Sequence, residues 1–99
     1  MNRDLGRFVA CYDVANNRRR RKIVEILDGY GARVQESVFE MLLDCKLLEA
    51  VVAAVSKVMD GKEDRITFYP VCRACEGRRI DLGLAAEKPP PGREKYIII

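Results

Sequence analysis

Histidine is absent from this 99-residue sequence. No imidazole is therefore available as a general base or as a metal ligand, and carboxylates must take those roles in any site that the chain builds. Long apolar runs are absent too, since no stretch approaches the ~18 consecutive apolar residues that cross a membrane. We expect a cytoplasmic protein that has no membrane partner.

Length and composition favour a single packed domain. Hydrophobic residues make up 48% of the chain and charged residues 33%, a balance typical of a soluble domain with a core. A chain of this length buries roughly two-thirds of the surface that it exposes when unfolded. The formal net charge of +3 only mildly favours an anionic partner, so the distribution of charge matters more than its total.

Four cysteines offer little for metal binding. Cys11 and Cys45 fall in apolar segments typical of a strand and a helix start, where thiols usually behave as small core side chains. Cys72 and Cys75 form one C-x-x-C pair, but tetrahedral zinc takes four ligands and the chain contains no second pair. We therefore expect inert or redox-tolerant thiols and disfavour a zinc site.

Four segments are predicted to be β-strands. Residues 7–14 are apolar at almost every position, which is typical of a strand covered on both faces. Residues 32–44 are predicted to form one long strand that contains a bulge. Residues 65–71 alternate between two faces, and residues 79–83 are predicted to form a short last strand.

Two segments are predicted to be α-helices. Asn16 or Asn17 caps the first, whose apolar residues recur every three or four positions up to Gly29 and Gly31. Residues 45–59 form the second, and its apolar face is predicted to consist of Leu48, Val51, Val52, Val55 and Met59. The order of elements indicates an α+β fold over residues 1–84. It is a split βαβ sandwich of the ferredoxin-like type, with two helices on one face of an antiparallel sheet.

Residues 85–99 are predicted to form a proline-rich connector followed by a C-terminal strand. Three consecutive prolines cannot join a sheet, whereas the final KYIII is strongly β-forming and apolar, so it must be covered. The tail either adds to the sheet of a second copy, which predicts a homodimer, or folds back on its own sheet.

Asp13 ends the first predicted strand, beside a helix start rich in cations. A carboxylate there suits a Mg²⁺ site, although Mg²⁺ is usually held by one or two carboxylates plus phosphate oxygens. A twofold dimer would bring two copies of Asp13 together around one ion. The structural alternative is that Asp13 only caps the turn after the strand.

Five consecutive cations occupy residues 18–22, in the first turns of the first predicted helix. Positive charge at a helix N-terminus opposes the helix dipole, which favours anions there. Phosphate groups would relieve that repulsion, so we favour nucleic-acid backbone contact over a merely solvated face. The predicted phosphate-contacting residues are Arg18, Arg19, Arg20, Arg21 and Lys22.

Three motifs follow one another along the chain. They are Tyr12-Asp13 at the end of the first strand, Arg19-Arg20-x-Lys22 in the helix, and Tyr30-Gly31-x-Arg33-Val34-Gln35-x-Ser37-Val38-Phe39-Glu40. In this order and spacing they resemble the signature of the Cas-two family of CRISPR-associated spacer-acquisition proteins. The resemblance covers residues 8–83.

The resemblance implies a homodimer that bridges Cas-one integrase dimers and helps to hold duplex DNA when new spacers are acquired. It also implies Mg²⁺-dependent endonuclease activity in some members, with single-stranded RNA or DNA as substrate, and a purely architectural role in others. By position, Asp13 is the metal ligand and catalytic centre. The residues implied to support it are Tyr12, Arg20, Arg33, Ser37 and Phe39.

Three classes of function therefore stay open. The chain is a phosphodiesterase that uses a shared metal ion, or a noncatalytic scaffold whose charge positions DNA. The third class is an unrelated ferredoxin-like toxin endoribonuclease or ligand-sensing module.

Overall fold

The computed structural model describes residues 5–83, which form four strands and three helices. The strands are β1 (Gly6–Asp13), β2 (Ala32–Gln35), β3 (Val38–Leu43) and β4 (Arg65–Val71). The helices are α1 (Asn17–Asp28), α2 (Cys45–Val58) and α3 (Arg73–Glu76). The predicted connector and strand at residues 85–99 lie outside the described residues.

One antiparallel sheet holds all four strands in the order β2-β3-β1-β4. β1 is central, because it pairs with β3 on one side and with β4 on the other. The two longer helices follow β1 and β3 in the chain and contact each other. This arrangement confirms the predicted ferredoxin-like α+β fold.

Short polar side chains define where the two long helices begin. Asn16 caps α1, because its side-chain oxygen accepts the amide of Arg19 at 2.9 Å. Asp44 caps α2 in the same way, through the amide of Leu47 at 2.8 Å. The predicted starts of both helices are thus confirmed to within a residue.

The core lies between these helices and one face of the sheet. Alternation along the strands turns Ala10, Phe39 and Met41 toward the helices, where all three are fully buried. The core face of α1 supplies Ile23 and Leu27, and that of α2 supplies Val51 and Val55. Among residues 5–83, no helix is long and apolar enough to span a bilayer.

Two residues that were expected in the core lie at the surface. Val52 is 39% exposed because it points away from the buried Val51 and Val55. Cys45 is exposed in the first turn of α2, and only Cys11, in β1, is half-buried. The expectation of a core thiol is therefore wrong for Cys45.

The predicted long strand at residues 32–44 is instead a hairpin. β2 and β3 are joined by a turn at Glu36 and Ser37, and their pairing shifts register between Arg33 and Gln35. The chain reverses because side chains elsewhere hold the carbonyl of Glu36, as described below. The bulge was predicted in the right region, but the reversal was missed.

The predicted strand at residues 79–83 is also wrong. This segment follows the short helix α3 and does not pair with any strand among the described residues. Arg79 turns instead toward the sheet and binds the buried carboxylate of Glu40. Side-chain ion pairs, and not backbone pairing, therefore fix the path of this segment.

The sheet face opposite the two long helices, called the open face below, is covered at one end and exposed at the other. Alternation along β1 places Arg7, Val9, Cys11 and Asp13 on this open face. Arg7 is only 3% exposed, because α3 and the segment after it cover that end. The end that carries Asp13 is exposed.

Candidate metal and nucleic-acid site

Asp13 lies at the last position of β1, with its side chain exposed. It stands opposite Arg65 in the pairing of β1 with β4. Within residues 5–83 its carboxylate forms neither an ion pair nor a hydrogen bond. Asn16 caps α1, and among these residues no hydrogen bond joins the Asp13 carboxylate to the turn after β1, which was the structural alternative.

The turn between β2 and β3 is fixed by residues that lie next to Asp13. The hydroxyl of Tyr12 donates to the carbonyl of Glu36 at 2.8 Å. Arg33 donates to the same carbonyl from Nε at 3.1 Å and from Nη2 at 2.6 Å. One backbone oxygen therefore connects the strand of Asp13 to the hairpin.

Two further predicted residues strengthen this connection. The carbonyl of Ser37 accepts the amide of Tyr12 at 3.1 Å. Phe39 is fully buried and its ring centroid lies 6.2 Å from that of Tyr12, with a tilt of 39° between the rings. The structure thus brings Tyr12, Arg33, Ser37 and Phe39 together around one turn, and their support of a site at Asp13 stays a prediction.

Arg20 fixes the chain on the other side of Asp13. Its Nη1 donates to the carbonyl of Val14 at 2.9 Å and to that of Ala15 at 3.3 Å, and its Nη2 donates to the side chain of Asn17. These bonds hold the link between β1 and α1 against the first turn of the helix. Arg20 therefore positions Asp13 through the backbone and does not contact its carboxylate.

Arg19 has a different partner, in the turn that precedes β4. It binds Asp64 through Nε and Nη2, and it reaches Glu63 at 3.0 Å. The carboxylate of Asp64, whose side chain is buried, also accepts the amide of Asp60 at 2.8 Å. The hydrogen bond from Arg19 and then that from Asp60 lower the pKa of Asp64, while the bond to Asp64 raises the pKa of Arg19.

The other three cations of the run are exposed. Arg18, Arg21 and Lys22 point to solvent, and none has an ion-pair partner within the described part of the chain. The run is therefore divided: Arg19 and Arg20 bind the protein itself, and the remaining three cations present charge at the surface. All five lie in the first half of α1, which begins four residues after Asp13.

The described part of a single copy provides too few ligands near Asp13 to hold a metal ion by itself. No group of three or more acidic or cysteine side chains that could hold a metal ion occurs among residues 5–83. One exposed carboxylate, that of Asp13, fits a hard cation such as Mg²⁺ only when phosphate oxygens or a second carboxylate complete the set. The arrangement therefore suits a metal ion shared between copies or brought in with a nucleic acid.

Sequence reasoning missed the groups that hold this region in place. The carbonyl of Glu36 leaves no trace in the sequence, because any residue carries one. Asp64 and Glu63 lie in a short acidic turn that resembles any solvated loop until its contact with Arg19 is known. Their common feature is a partner more than twenty residues away in the chain.

A buried ionic cluster at the covered end of the open face was missed as well. Glu40 is 5% exposed and accepts from Arg7 Nη1 at 3.2 Å and from both terminal nitrogens of Arg79. Arg7 also binds Glu76 of α3, and Arg79 binds Asp81 at 3.0 Å. Because three of these residues adjoin or follow α3, the cluster holds that segment on the sheet.

Comparison with known proteins gives concordant results. Residues 7–79 match the family described as CRISPR associated protein Cas2. The protein named CRISPR-associated endoribonuclease Cas2 4 from Rhodospirillum rubrum is 43% identical over 95 residues, which cover 96% of this chain and 75% of the relative.

Two solved structures share the fold. Cas2 of Streptococcus pyogenes, crystallised at pH 6.5, superposes with a TM-score of 0.67 at 29% identity, covering 78% of this chain and 99% of that one. A chain of a partial Cas6-RT-Cas1–Cas2 complex gives a TM-score of 0.62 at 28% identity, covering 78% and 90% respectively.

Proposed function

Because this chain belongs to the CRISPR-associated protein Cas2 family, we propose that it serves spacer acquisition as a homodimer that holds duplex DNA for a Cas1 integrase. The observation that carries this proposal is the exposed group of three cations, Arg18, Arg21 and Lys22, at the start of α1. Such a group attracts the backbone phosphates of a nucleic acid whatever its base sequence. This property suits a protein that must capture spacers of unrelated sequence.

A second copy of the chain is the partner that fits the open face of the sheet. Val9, Cys11 and Val38 are only partly covered there, and Tyr69 is 54% exposed. Packing two such faces together buries these side chains and places both copies of Asp13 in the same assembly. β4 is an edge strand of the described sheet, and we propose that the tail at residues 95–99 of the other copy pairs with it.

Cas1 is the protein partner that we propose for this dimer. The support is the likeness to a chain of a complex that contains Cas1 and Cas2. That relative has the same fold over most of its length, which supports the proposal of a Cas1 partner for this chain. The family also favours this function over a toxin endoribonuclease or a ligand-sensing module.

Metal-dependent cleavage of RNA or DNA is the second function that we propose. The carboxylate of Asp13, which is exposed and has no ion pair within residues 5–83, favours it, as do relatives whose names contain endoribonuclease. Asp13 from each of two copies would hold Mg²⁺, which would supply charge neutralisation and an activated water at a phosphodiester. The chain itself holds the residues on either side of Asp13: Tyr12 donates to the carbonyl of Glu36 in the hairpin turn, and Arg20 donates to the carbonyl of Val14.

One experiment separates the two functions. The wild-type protein, Asp13→Asn and the double variant Arg18→Ala/Arg21→Ala are each mixed with Cas1 and a short duplex, and DNA capture, integration and cleavage are measured with and without Mg²⁺. We expect Asp13→Asn to abolish cleavage by the protein and to leave capture intact, because the amide keeps the shape and loses the charge. We expect the double variant to lose capture.

Two results would contradict the proposals. Capture that persists unchanged in the double variant would remove the scaffold proposal, since its exposed charge would be unnecessary. Cleavage that persists in Asp13→Asn would remove Asp13 from catalysis. The variant Lys46→Ala is the matched control, because it removes one exposed cation from the first turn of α2, which follows the opposite end of the sheet.

A further inference from the structure

The C-x-x-C pair at Cys72 and Cys75 has no part in the function proposed above. Both thiols are exposed, and they lie at the two ends of the first turn of α3. The sulfur of Cys72 accepts the backbone amide of Cys75 at 3.3 Å, so the first thiol lies directly against the residue that carries the second. This proximity favours a disulfide between the two residues.

We propose that Cys72 and Cys75 form a redox-active dithiol that exchanges with low-molecular-weight disulfides such as oxidised glutathione. Cys72 is the attacking thiol and Cys75 is the resolving thiol. The product is an intramolecular disulfide across the first turn of α3.

The surroundings of the two sulfurs assign these roles. The amide of Cys75 and then the thiol of Cys75 lower the pKa of Cys72, because both stabilise its thiolate. A thiol with a lowered pKa is more fully ionised near neutral pH, and the thiolate is the nucleophile in exchange. The guanidinium of Arg78 points its Nη2 at the sulfur of Cys75 from 3.9 Å, so a cation also faces the second sulfur.

The exchange balances in two steps. The Cys72 thiolate attacks one sulfur of the small disulfide, which forms a mixed disulfide and releases one thiolate. The Cys75 thiol then loses its proton and attacks the Cys72 sulfur, which closes the protein disulfide and releases the second small thiol. The protein dithiol loses two electrons and two protons, and the small disulfide gains them as two thiols.

The ionic cluster on the open face prepares the pair for this reaction. Glu76, directly after Cys75, binds the buried Arg7, and Arg79 binds the buried Glu40. These contacts hold α3 on the sheet, so the two cysteines are already close before oxidation. Among the described residues, neither Cys11 nor Cys45 has a hydrogen bond with another cysteine of the kind that joins Cys72 to Cys75.

The test uses the full chain, fully reduced, in glutathione buffers of stepwise more oxidising ratio with a metal chelator present. We expect the number of free thiols to fall from four to two, with the loss of two hydrogen atoms and a cross-linked peptide that contains residues 72–75. Cys75→Ser should stop at glutathione attached to Cys72. Cys45→Ser, the matched control at another exposed thiol, should oxidise as the wild type does.

A second measurement is independent of disulfide formation. In the reduced protein at neutral pH, iodoacetamide should label Cys72 several-fold faster than Cys45, because the thiolate of Cys72 is favoured. Three outcomes would overturn the proposal: equal labelling of the two residues, glutathione attached to Cys45 as readily as to Cys72, or thiols at 72 and 75 that oxidise only between molecules. A parallel reaction without the chelator, in which the pair is protected from oxidation and labelling, would overturn it as well, in favour of a bound thiophilic metal.

Discussion

Arg19 donates to both oxygens of the Asp64 carboxylate, with Nε 2.8 Å from Oδ2 and Nη2 3.2 Å from Oδ1. The two residues are 45 positions apart, so this bidentate pair connects the first turn of α1 to the turn before β4. This pair gives Arg19 a structural role, whereas its neighbours Arg18 and Arg21 point to solvent. The run is therefore not uniform, and its members should respond differently to mutation.

Asp64→Asn should weaken the acid dependence of folding stability. The pKa of Asp64 is lowered in the folded protein, mainly by Arg19. A carboxylate of this kind stabilises the fold at pH values above its ordinary pKa of about 4 and loses that contribution as the pH falls through the lowered value. We expect the Tm of the variant to be lower near neutral pH, and the difference from wild type to shrink in acid.

Thermal denaturation across the acid range measures this difference. Glu63→Gln is the control, because the side chain of Glu63 is 70% exposed and should contribute little at any pH. Two parallel Tm curves for wild type and Asp64→Asn would show that the Arg19 pair adds nothing to acid sensitivity.

Arg18→Ala and Arg21→Ala should each reduce the salt dependence of binding to duplex DNA. Each phosphate contact that is lost lowers the slope of log K against log salt by about 0.9. Filter binding or fluorescence anisotropy at several salt concentrations gives the slope. Lys46→Ala should leave the slope at the wild-type value, and equal slopes for all variants would show that the exposed cations are only solvated.

Arg19→Ala should behave unlike these two variants. Because Arg19 is paired with Asp64, its removal should lower the Tm more than the removal of Arg18 does. A variant that loses binding slope but no thermal stability would show that the Asp64 pair does not hold the helix.

Gly31→Ala should destabilise the hairpin. A Cβ atom at residue 31 would lie 2.6 Å from the Cβ of Met41, which is fully buried in β3. Relief of that overlap requires β2 and β3 to separate, which we expect to cost about 1–3 kcal/mol. Chemical denaturation measures the loss, and Gly61→Ala is the control, because no atom lies within 4 Å of a Cβ added there.

Glu40→Gln should lower the free energy of unfolding by about 3 kcal/mol. The substitution removes the buried carboxylate that Arg7 and Arg79 share, so the positive charge of the buried Arg7 is less compensated. Urea denaturation measures the change, with the exposed Glu49→Gln on α2 as the control. A loss equal to that of the control would mean that water or other groups replace the carboxylate without cost.

Local sequence patterns were sufficient where local physics decides the structure. Residues 65–71 were predicted with the observed bounds, and the observed cap Asn16 is one of the two candidates, Asn16 and Asn17, because alternation and capping depend only on near neighbours. The grouping of Tyr12, Arg33, Ser37 and Phe39 came from the family resemblance. The structure adds the means by which they meet.

The errors fall where distant partners decide the structure. Residues 32–44 carry enough β-forming residues for one strand, and the reversal at Glu36 and Ser37 depends on Tyr12, more than twenty positions away. Residues 79–83 were predicted to form a strand, but Ile80 is 72% exposed and Arg79 holds the chain through Glu40 instead. Local propensity contains no information about either contact.

The carbonyl of Glu36 accepts hydrogen bonds from Tyr12 and Arg33, while the side chain of Glu36 is exposed. Only the backbone of this residue is committed, so the side chain can be exchanged for a reporter group. A cysteine at position 36 in a protein whose four natural thiols are replaced by serine would carry a fluorophore on the turn that Tyr12, the chain neighbour of Asp13, holds. Its emission would follow the arrival of nucleic acid at the site without removing any contact that the site requires.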